Sequence, residues 1–305
     1  MRVIFMGTPE FAVPALKVLN EIAEIVCVVT QPDRPKGRGQ KLQPSPVKIF
    51  AQENNLPVLQ PQKVKSPEVV DELKTFRADL IVVVAFGQIL SQEILDLPKF
   101  GCINVHASLL PKYRGAAPIE WSLINGETLT GVTTMQMNAG LDTGDILLKT
   151  EVPITEEMIL PDLREKLCIA GADLLLETIT KLERGELNPV KQDDSLSNYA
   201  PMLKKDTGKI DWNKPARAIH NLVRGLYGGA FTTFDNEKFK IWRTKISDTE
   251  KLSAGEIKIV GKKILVGTGD GTLEILEVQA PNSKKISAAD FLNGRKNFTG
   301  KFDNG

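Results

Sequence analysis

The sequence predicts an α/β protein in two parts, a mainly parallel sheet covered by helices and then a small β-barrel. Three observations carry this. Within the first 180 residues short β-branched runs alternate with amphipathic stretches, and such alternation needs crossovers and therefore parallel strands. After residue 205 roughly five short alternating strands follow a single helix, which is the pattern of a barrel. The length, 305 residues, is that of two domains, each able to bury its own core.

In chain order, residues 2–6, 24–30, 57–60, 79–86 and 101–106 read as strands, and helices are expected near 9–20, 46–54, 66–76 and 117–124. The first helix carries a start signal, with Thr8 as N-cap, Pro9 at the first helical position and Glu10 in the first turn. Gly7-Thr8-Pro9-Glu10-Phe11 then forms a strand-to-helix turn whose free N–H groups can face a ligand. Strands 131–138 and 145–152 flank the loop 139–144, and a long helix from about Pro161 to Arg184 closes a first domain bounded at residues 1–188. Residues 189–205, polar and weakly structured, read as a linker. The barrel domain, 206–305, opens with a helix at 215–224 and continues in strands 230–234, 238–246, 255–260, 263–267 and 273–278. Gly267-Thr268-Gly269-Asp270-Gly271 lies between two of these strands and reads as a hairpin turn.

Composition excludes several classes. With 42% hydrophobic and 25% charged residues the chain is neither collagenous nor disordered. Its longest purely apolar run, 80–86, is far short of the ~18 residues that suggest a membrane span, and the N-terminus lacks the tract and cleavage site of a secretory signal. A cytoplasmic protein without membrane attachment is expected. Cys27, Cys102 and Cys168 are odd in number, widely spaced and set in apolar stretches, as buried small hydrophobes are, and no residue cluster has metal-ligand spacing. The net charge of +1 hides an asymmetry: residues 206–305 hold 17 Lys+Arg against 12 Asp+Glu, whereas residues 1–205 are net acidic. A basic back half points to a polyanionic partner, or else to a solvated surface.

The chemistry concentrates in three places. Along the strand 101–106 side chains alternate, so Asn104 and His106 share a face at the C-terminal end, where open α/β sheets place their ligands. A lone histidine at a strand end is often structural, yet its pairing with Asn104 and the turn-forming Ser108-Leu109-Leu110-Pro111 favours a site. Asp142 sits in a loop bracketed by Gly140 and Gly144, where an ordinary turn is the plain alternative. Asn, His and Asp together supply a donor for a polarised carbonyl, a proton carrier and an orienting or acid/base carboxylate, the parts of acyl transfer. The stretch 31–48 is longer than a usual connection and carries five Lys/Arg against one Asp, including Lys36, Arg38 and Lys41, as a flexible basic arm for a nucleic-acid backbone would. A dinucleotide fingerprint is missing from the first turn, where only Gly7 stands.

These motifs resemble the methionyl-tRNA formyltransferase family. The likeness runs through Val3-Ile4-Phe5-Met6-Gly7-Thr8-Pro9, Thr30-Gln31-Pro32-Asp33-Arg34-Pro35, Gly37-Arg38-Gly39, the stretch from Asn104 to Pro111, Tyr113-Arg114-Gly115-Ala116-Ala117-Pro118 and Gly140-Leu141-Asp142-Thr143-Gly144-Asp145. It continues more loosely through Ile210-Asp211-Trp212 and Thr268-Gly269-Asp270-Gly271. The resemblance implies a Rossmann-like formyltransferase domain, a linker and an OB-like barrel that binds tRNA. It implies 10-formyltetrahydrofolate as formyl donor and initiator methionyl-tRNA as acceptor; with no metal-ligand cluster in the sequence no metal requirement is expected, and a monomer is expected. By resemblance Asn104, His106 and Asp142 are catalytic, Ser108, Leu109, Leu110 and Pro111 line the folate site, and Arg38, with Lys36 and Lys41, meets the tRNA acceptor end. How His106 and Asp142 divide the acid and base roles stays open. Two segments depart from the family pattern, Glu156-Glu157-Met158-Ile159-Leu160-Pro161 and Gly225-Leu226-Tyr227-Gly228-Gly229-Ala230. A small-molecule acceptor would need neither basic loop nor basic barrel, and a tRNA-binding protein without chemistry would not need Asn104, His106 and Asp142.

Overall fold

In a computed structural model of the chain, the described residues are 1–36, 41–249, 251–295 and 298–303, with Lys36 and Lys41 described in backbone alone. The chain forms two compact units. The first comprises Met1–Gly115, Leu129–Pro153 and Arg164–Ala200, and the second Ala116–Thr128, Ile154–Leu163 and everything from Pro201 on.

The first unit is built from β1 (Arg2–Gly7), α1 (Val13–Ile22), β2 (Glu24–Val29), β3 (Arg34–Lys36), β4 (Lys41–Gln43), α2 (Pro46–Glu53), β5 (Val58–Leu59), α3 (Pro67–Thr75), β6 (Leu80–Val84), α4 (Gln92–Leu95), β7 (Cys102–His106) and β8 (Arg114–Gly115). After α5 (Pro118–Ile124) of the second unit come β9 (Leu129–Gln136), β10 (Ile146–Pro153), α6 (Leu160–Arg184) and β11 (Tyr199–Ala200). Seven strands make the main sheet in the order β10-β9-β7-β6-β1-β2-β5. From β7 to β5 all neighbours are parallel, while β9 and β10 run antiparallel to theirs, so the sheet is Rossmann-like and mainly parallel. Period-two alternation sets its faces. Ile4, Met6, Ile81, Val83 and Cys102 share one apolar layer with Val70 and Leu73 of α3 and Ile94 of α4. On the other face α6 lies close to β7 and β9, since a Cβ at Gly171 would meet Val105 Cγ1 at 3.2 Å. Asn104 and His106, two and four residues beyond Cys102, therefore face away from α6.

Some local expectations change. Thr8 is not a helix cap: β1 leads into a short 3-10 turn, Glu10–Ala12, capped by Pro9. The Thr8 hydroxyl instead donates to Phe86 O at 3.1 Å and accepts from Gln31 N at 3.3 Å, tying the ends of three neighbouring strands. The basic stretch is not an irregular arm throughout, because β3 and β4 pair as a hairpin in the register Arg34↔Gln43 and Lys36↔Lys41. Its base is pinned by Lys48 Nζ to Asp33 Oδ2 at 2.8 Å and by Thr30 Oγ1 to Ser45 Oγ at 2.8 Å. Gln60 and Lys48 together hold the Asp33 carboxyl below its ordinary range. The segment 189–200 is ordered too, through β11 and a 3-10 turn at Asp194–Leu196.

The second unit continues with α7 (Ala216–Gly225), β12 (Phe231–Phe234), β13 (Glu237–Ser247), β14 (Glu256–Val260), β15 (Lys263–Gly267), β16 (Thr272–Gln279), β17 (Ile286–Ser287), α8 (Ala288–Asn293) and β18 (Gly300–Lys301). Its antiparallel sheet runs β12-β13-β16-β15-β14-β18. The stretch 300–303 bonds to both edges, Gly300 pairing with Ile257 and Asp303 N donating to Thr233 O at 3.1 Å, so the sheet is nearly closed into a barrel. Trp212, Phe239, Phe291, Phe298 and Phe302 fill it, with Trp212 and Phe302 stacked at 5.4 Å. The glycine-rich turn 267–271 joins β15 to β16 as expected, and Asp270 Oδ1 accepts from Ala216 N at 2.8 Å, capping α7. Both departing segments are packed against α7 or β13. Arg224 Nη1 donates to Thr155 O at 3.0 Å, Arg217 pairs with Glu156 at 2.5 Å, and Gly228, at φ 82°, lies flat on Trp242, which any side chain would strike. Cys27 and Cys102 are buried, and burial pushes both thiols up to about 12; Cys168 is only partly covered. No helix among the described residues is long and apolar enough to cross a membrane.

Candidate active site

Three chain segments meet at Asp142. β7 presents Asn104 and His106, the turn after it returns the backbone of Tyr113 and Gly115, and the loop between β9 and β10 carries Asp142 itself. The carboxylate lies 3.5 Å from Asn104 Nδ2 through Oδ1 and 3.6 Å from His106 Nδ1 through Oδ2. Gly115 N donates to Oδ2 at 2.7 Å. Both side chains are nearly shielded, His106 at 6% and Asp142 at 11% exposure, so electrostatic interaction between them is weakly screened. Asp142 adopts φ 52°, a left-handed conformation that Asp tolerates, and two residues on, the loop passes so close to β9 that a Cβ on Gly144 would stand 1.7 Å from Gln136 O.

The ring orientation of His106 follows from its partners. Nε2 is 2.9 Å from Tyr113 O, and a carbonyl only accepts, so Nε2 carries a proton. In the neutral ring Nδ1 then turns a lone pair toward the Asp142 carboxylate. Two acceptors face each other, and one added proton satisfies both. An imidazole and a carboxylate side by side, next to a carboxamide donor, have the equipment of acyl transfer.

The turn Ser108 to Pro111 is tightly braced. Ser108 is fully buried, and its hydroxyl donates to Lys112 O at 2.6 Å while Thr133 Oγ1 donates to Ser108 O at 2.7 Å and accepts from Leu110 N at 3.1 Å. Leu110 is also fully buried, and its carbonyl receives Lys149 Nζ at 2.5 Å; burial lowers the lysine's affinity for its proton. Leu109 and Pro111 remain partly exposed. Ser108 and Leu110 thus shape the turn, and Leu109 and Pro111 are its accessible side chains. Arg38 lies outside the described residues, and Lys36 and Lys41 are placed only as paired backbone of the β3–β4 hairpin.

Sequence reasoning missed Gln192, and it singled out Arg114 only as part of the motif 113–118, without a role of its own. Gln192 Nε2 donates to Asp142 O at 2.8 Å and to Gly144 O at 2.7 Å, and Gln192 Oε1 accepts from Arg114 Nε and Nη2 at 3.1 and 2.8 Å. Nothing in the local pattern marks Gln192, because it belongs to a polar stretch without periodicity. Among the described residues no group of three or more His, Cys, Asp or Glu stands close enough to hold a metal.

Residues 1–179 match the formyl transferase family model, and residues 202–296 match that of the formyl transferase C-terminal domain. A methionyl-tRNA formyltransferase of Geobacter metallireducens is 54% identical over 298 residues, covering 96% of either chain. One of Ruminiclostridium cellulolyticum is 49% identical over 308 residues, covering 99% of either. Among solved structures, the sugar 3N-formyl transferase WlaRD, determined in the presence of dTDP and 5-N-formyl-THF, has a TM-score of 0.69 at 21% identity over 93% of this chain and 99% of that one, a likeness of fold. With identity near one half along almost its whole length, and with both domains matched, the chain belongs to the methionyl-tRNA formyltransferase family.

Proposed function

We propose that the chain transfers the formyl group of 10-formyltetrahydrofolate to the amino group of initiator methionyl-tRNA, with Asn104, His106 and Asp142 as the catalytic residues. The observation that carries the assignment is the convergence of an amide, an imidazole and a carboxylate on one shielded point from two separate segments, with His106 Nδ1 3.6 Å from Asp142 Oδ2. The amine lone pair attacks the formyl carbon, forming the new C–N bond and a tetrahedral oxyanion. Asn104 Nδ2 donates to that oxygen; a preorganised donor of this kind lowers the barrier by about 3 kcal/mol. The proton shed by the amine passes to the His106–Asp142 pair and from there to the folate nitrogen as the C–N bond to folate breaks. No net proton is gained or lost.

Leu109 and Pro111 supply the accessible apolar wall for the folate, on a turn that Ser108, Leu110, Thr133 and Lys149 hold in shape. Arg38, with Lys36 and Lys41, meets the acceptor end of the tRNA from the basic stretch 31–48, and the basic barrel from 206 on attracts the rest of the polyanion. The catalytic part spans 1–188 and the tRNA-binding part 206–305, joined by 189–205. We take the reaction to be cytoplasmic. Asn104→Ala, His106→Ala and Asp142→Ala are each expected to lower turnover at least about 100-fold with folding and tRNA affinity nearly unchanged, in an assay of formyl-methionine formed and tetrahydrofolate released. A variant with near-normal turnover removes its residue from the site.

A further inference from the structure

We propose that Gln192 is a positioning residue for formyl transfer, a buried amide that holds the Asp142 loop against the turn after β7. The inference rests on the reading of Asp142 as catalytic. Gln192 is 5% exposed, and its amide makes four hydrogen bonds, two given to the carbonyls of Asp142 and Gly144 and two taken from the Arg114 guanidinium. Its orientation is fixed by chemistry, because a guanidinium only donates and a carbonyl only accepts. Arg114 precedes Gly115, whose N–H holds the Asp142 carboxylate at 2.7 Å. Gln192 therefore closes a ring of contacts: Asp142 side chain to Gly115, Arg114 side chain to Gln192, Gln192 to the Asp142 backbone.

The same segment grips both walls of the site elsewhere. Val190 exchanges two backbone hydrogen bonds with Ile146, at 2.8 and 2.9 Å, just after the Asp142 loop. Asn198 accepts Tyr113 N on its side chain and Arg114 N on its carbonyl, and β11 extends that pairing beside β8. Residues 190–200 thus form a strap across the two loops that meet at Asp142. A backbone in a left-handed conformation relaxes unless its surroundings hold it, and the two hydrogen bonds from Gln192 Nε2 supply the hold. A misplacement of a reacting group by about 1 Å lowers turnover roughly 100-fold, which sets the scale of the loss expected when these bonds are removed.

The test measures kcat and both KM values of the full-length chain for Gln192→Leu, Gln192→Glu, Asp142→Asn and the double variant Gln192→Leu/Asp142→Asn, with thermal unfolding of each. Gln192→Glu keeps an acceptor for Arg114 and loses the donors to the loop; the split between kcat and KM, and the double variant, separate positioning from stability. Expected are a fall in kcat of about 10- to 100-fold in both Gln192 variants, KM values within about threefold, a lowered thermal midpoint but still cooperative unfolding for Gln192→Glu, and a double variant no slower than Asp142→Asn by more than about threefold. Gln192 variants with kcat within about threefold of the unaltered chain, additive losses in the double variant, or failure of both single Gln192 variants to fold would overturn the proposal while Asp142→Asn remains impaired. Near-normal turnover in Asp142→Asn overturns the catalytic reading, and the positioning role with it.

Discussion

Gly144→Ala is a sharp probe of how closely the Asp142 loop must be placed. The added methyl would stand 1.7 Å from Gln136 O and 2.9 Å from Gln136 C, and both are backbone atoms. They have little freedom to retreat: Gln136 ends β9, its N–H donates to Asp145 O at 2.8 Å, and its side chain bonds Cys102 O at 3.2 Å. Relief requires the loop to withdraw until the contact opens to about 3.0 Å, a displacement on the order of 1 Å passed to Asp142 two residues away. Overpacking of this kind costs about 1–3 kcal/mol of stability. A 1 Å misplacement of a reacting group lowers turnover roughly 100-fold. The assay is steady-state formylation of methionyl-tRNA alongside thermal unfolding, with substrate concentrations high enough to read kcat. Turnover within about threefold of the unaltered chain, in a variant shown to be folded, would refute the link between loop position and catalysis.

Two further outcomes are expected. Arg38→Ala should raise KM for methionyl-tRNA strongly and spare folate binding, while Lys36→Ala and Lys41→Ala have smaller, more salt-dependent effects; weakened folate binding with intact tRNA use would move the hairpin to the folate site. His220, buried on α7 between Thr244 Oγ1 at 3.0 Å and Glu156 O at 3.4 Å, is held below the ordinary histidine range mainly by burial and further by Arg224 and Arg217. Its unfolded form takes up a proton first as pH falls through about 6.5, so the second unit should lose stability below that pH and keep it above. The thermal midpoint should therefore drop less between pH 6.5 and 5.5 in His220→Gln than in the unaltered chain; parallel curves would exclude His220 as a source.

Asn104 and His106 were legible in the sequence because strand alternation is a local rule, and Asp142 because two glycines bracket it. The main strands and helices followed from apolar periodicity, and most of their bounds fall within one or two residues of expectation. The β3–β4 hairpin escaped because Arg34-Pro35-Lys36 has no apolar alternation, the local signal by which a strand is read, and the backbone pairing with β4 leaves no mark in the sequence. Gln192 escaped for a different reason: its partners lie 50 and 78 residues away in the chain, and an amide amid polar residues has the same local pattern whether it is buried or solvated. Thr8 was misassigned because the local cap motif was outbid by tertiary partners, Phe86 O and Gln31 N.

The second unit is discontinuous in sequence, and this binds distant positions to a shared history. Segments 116–128 and 154–163 belong to it although the first unit's strands and most of α6 intervene before Pro201. A stretch cut out from 201 onward carries the Arg224 guanidinium into the barrel unit without the Thr155 and Met158 carbonyls that receive it, and α7 without the Ile124 side chain that fills the space beside Gly225. An alanine at 225 would meet Ile124 Cγ1 at 2.8 Å, so a change at either position narrows what the other accepts across a hundred residues of chain. Recombination at the apparent domain boundary would separate such partners, and inheritance of the chain as one piece keeps them together.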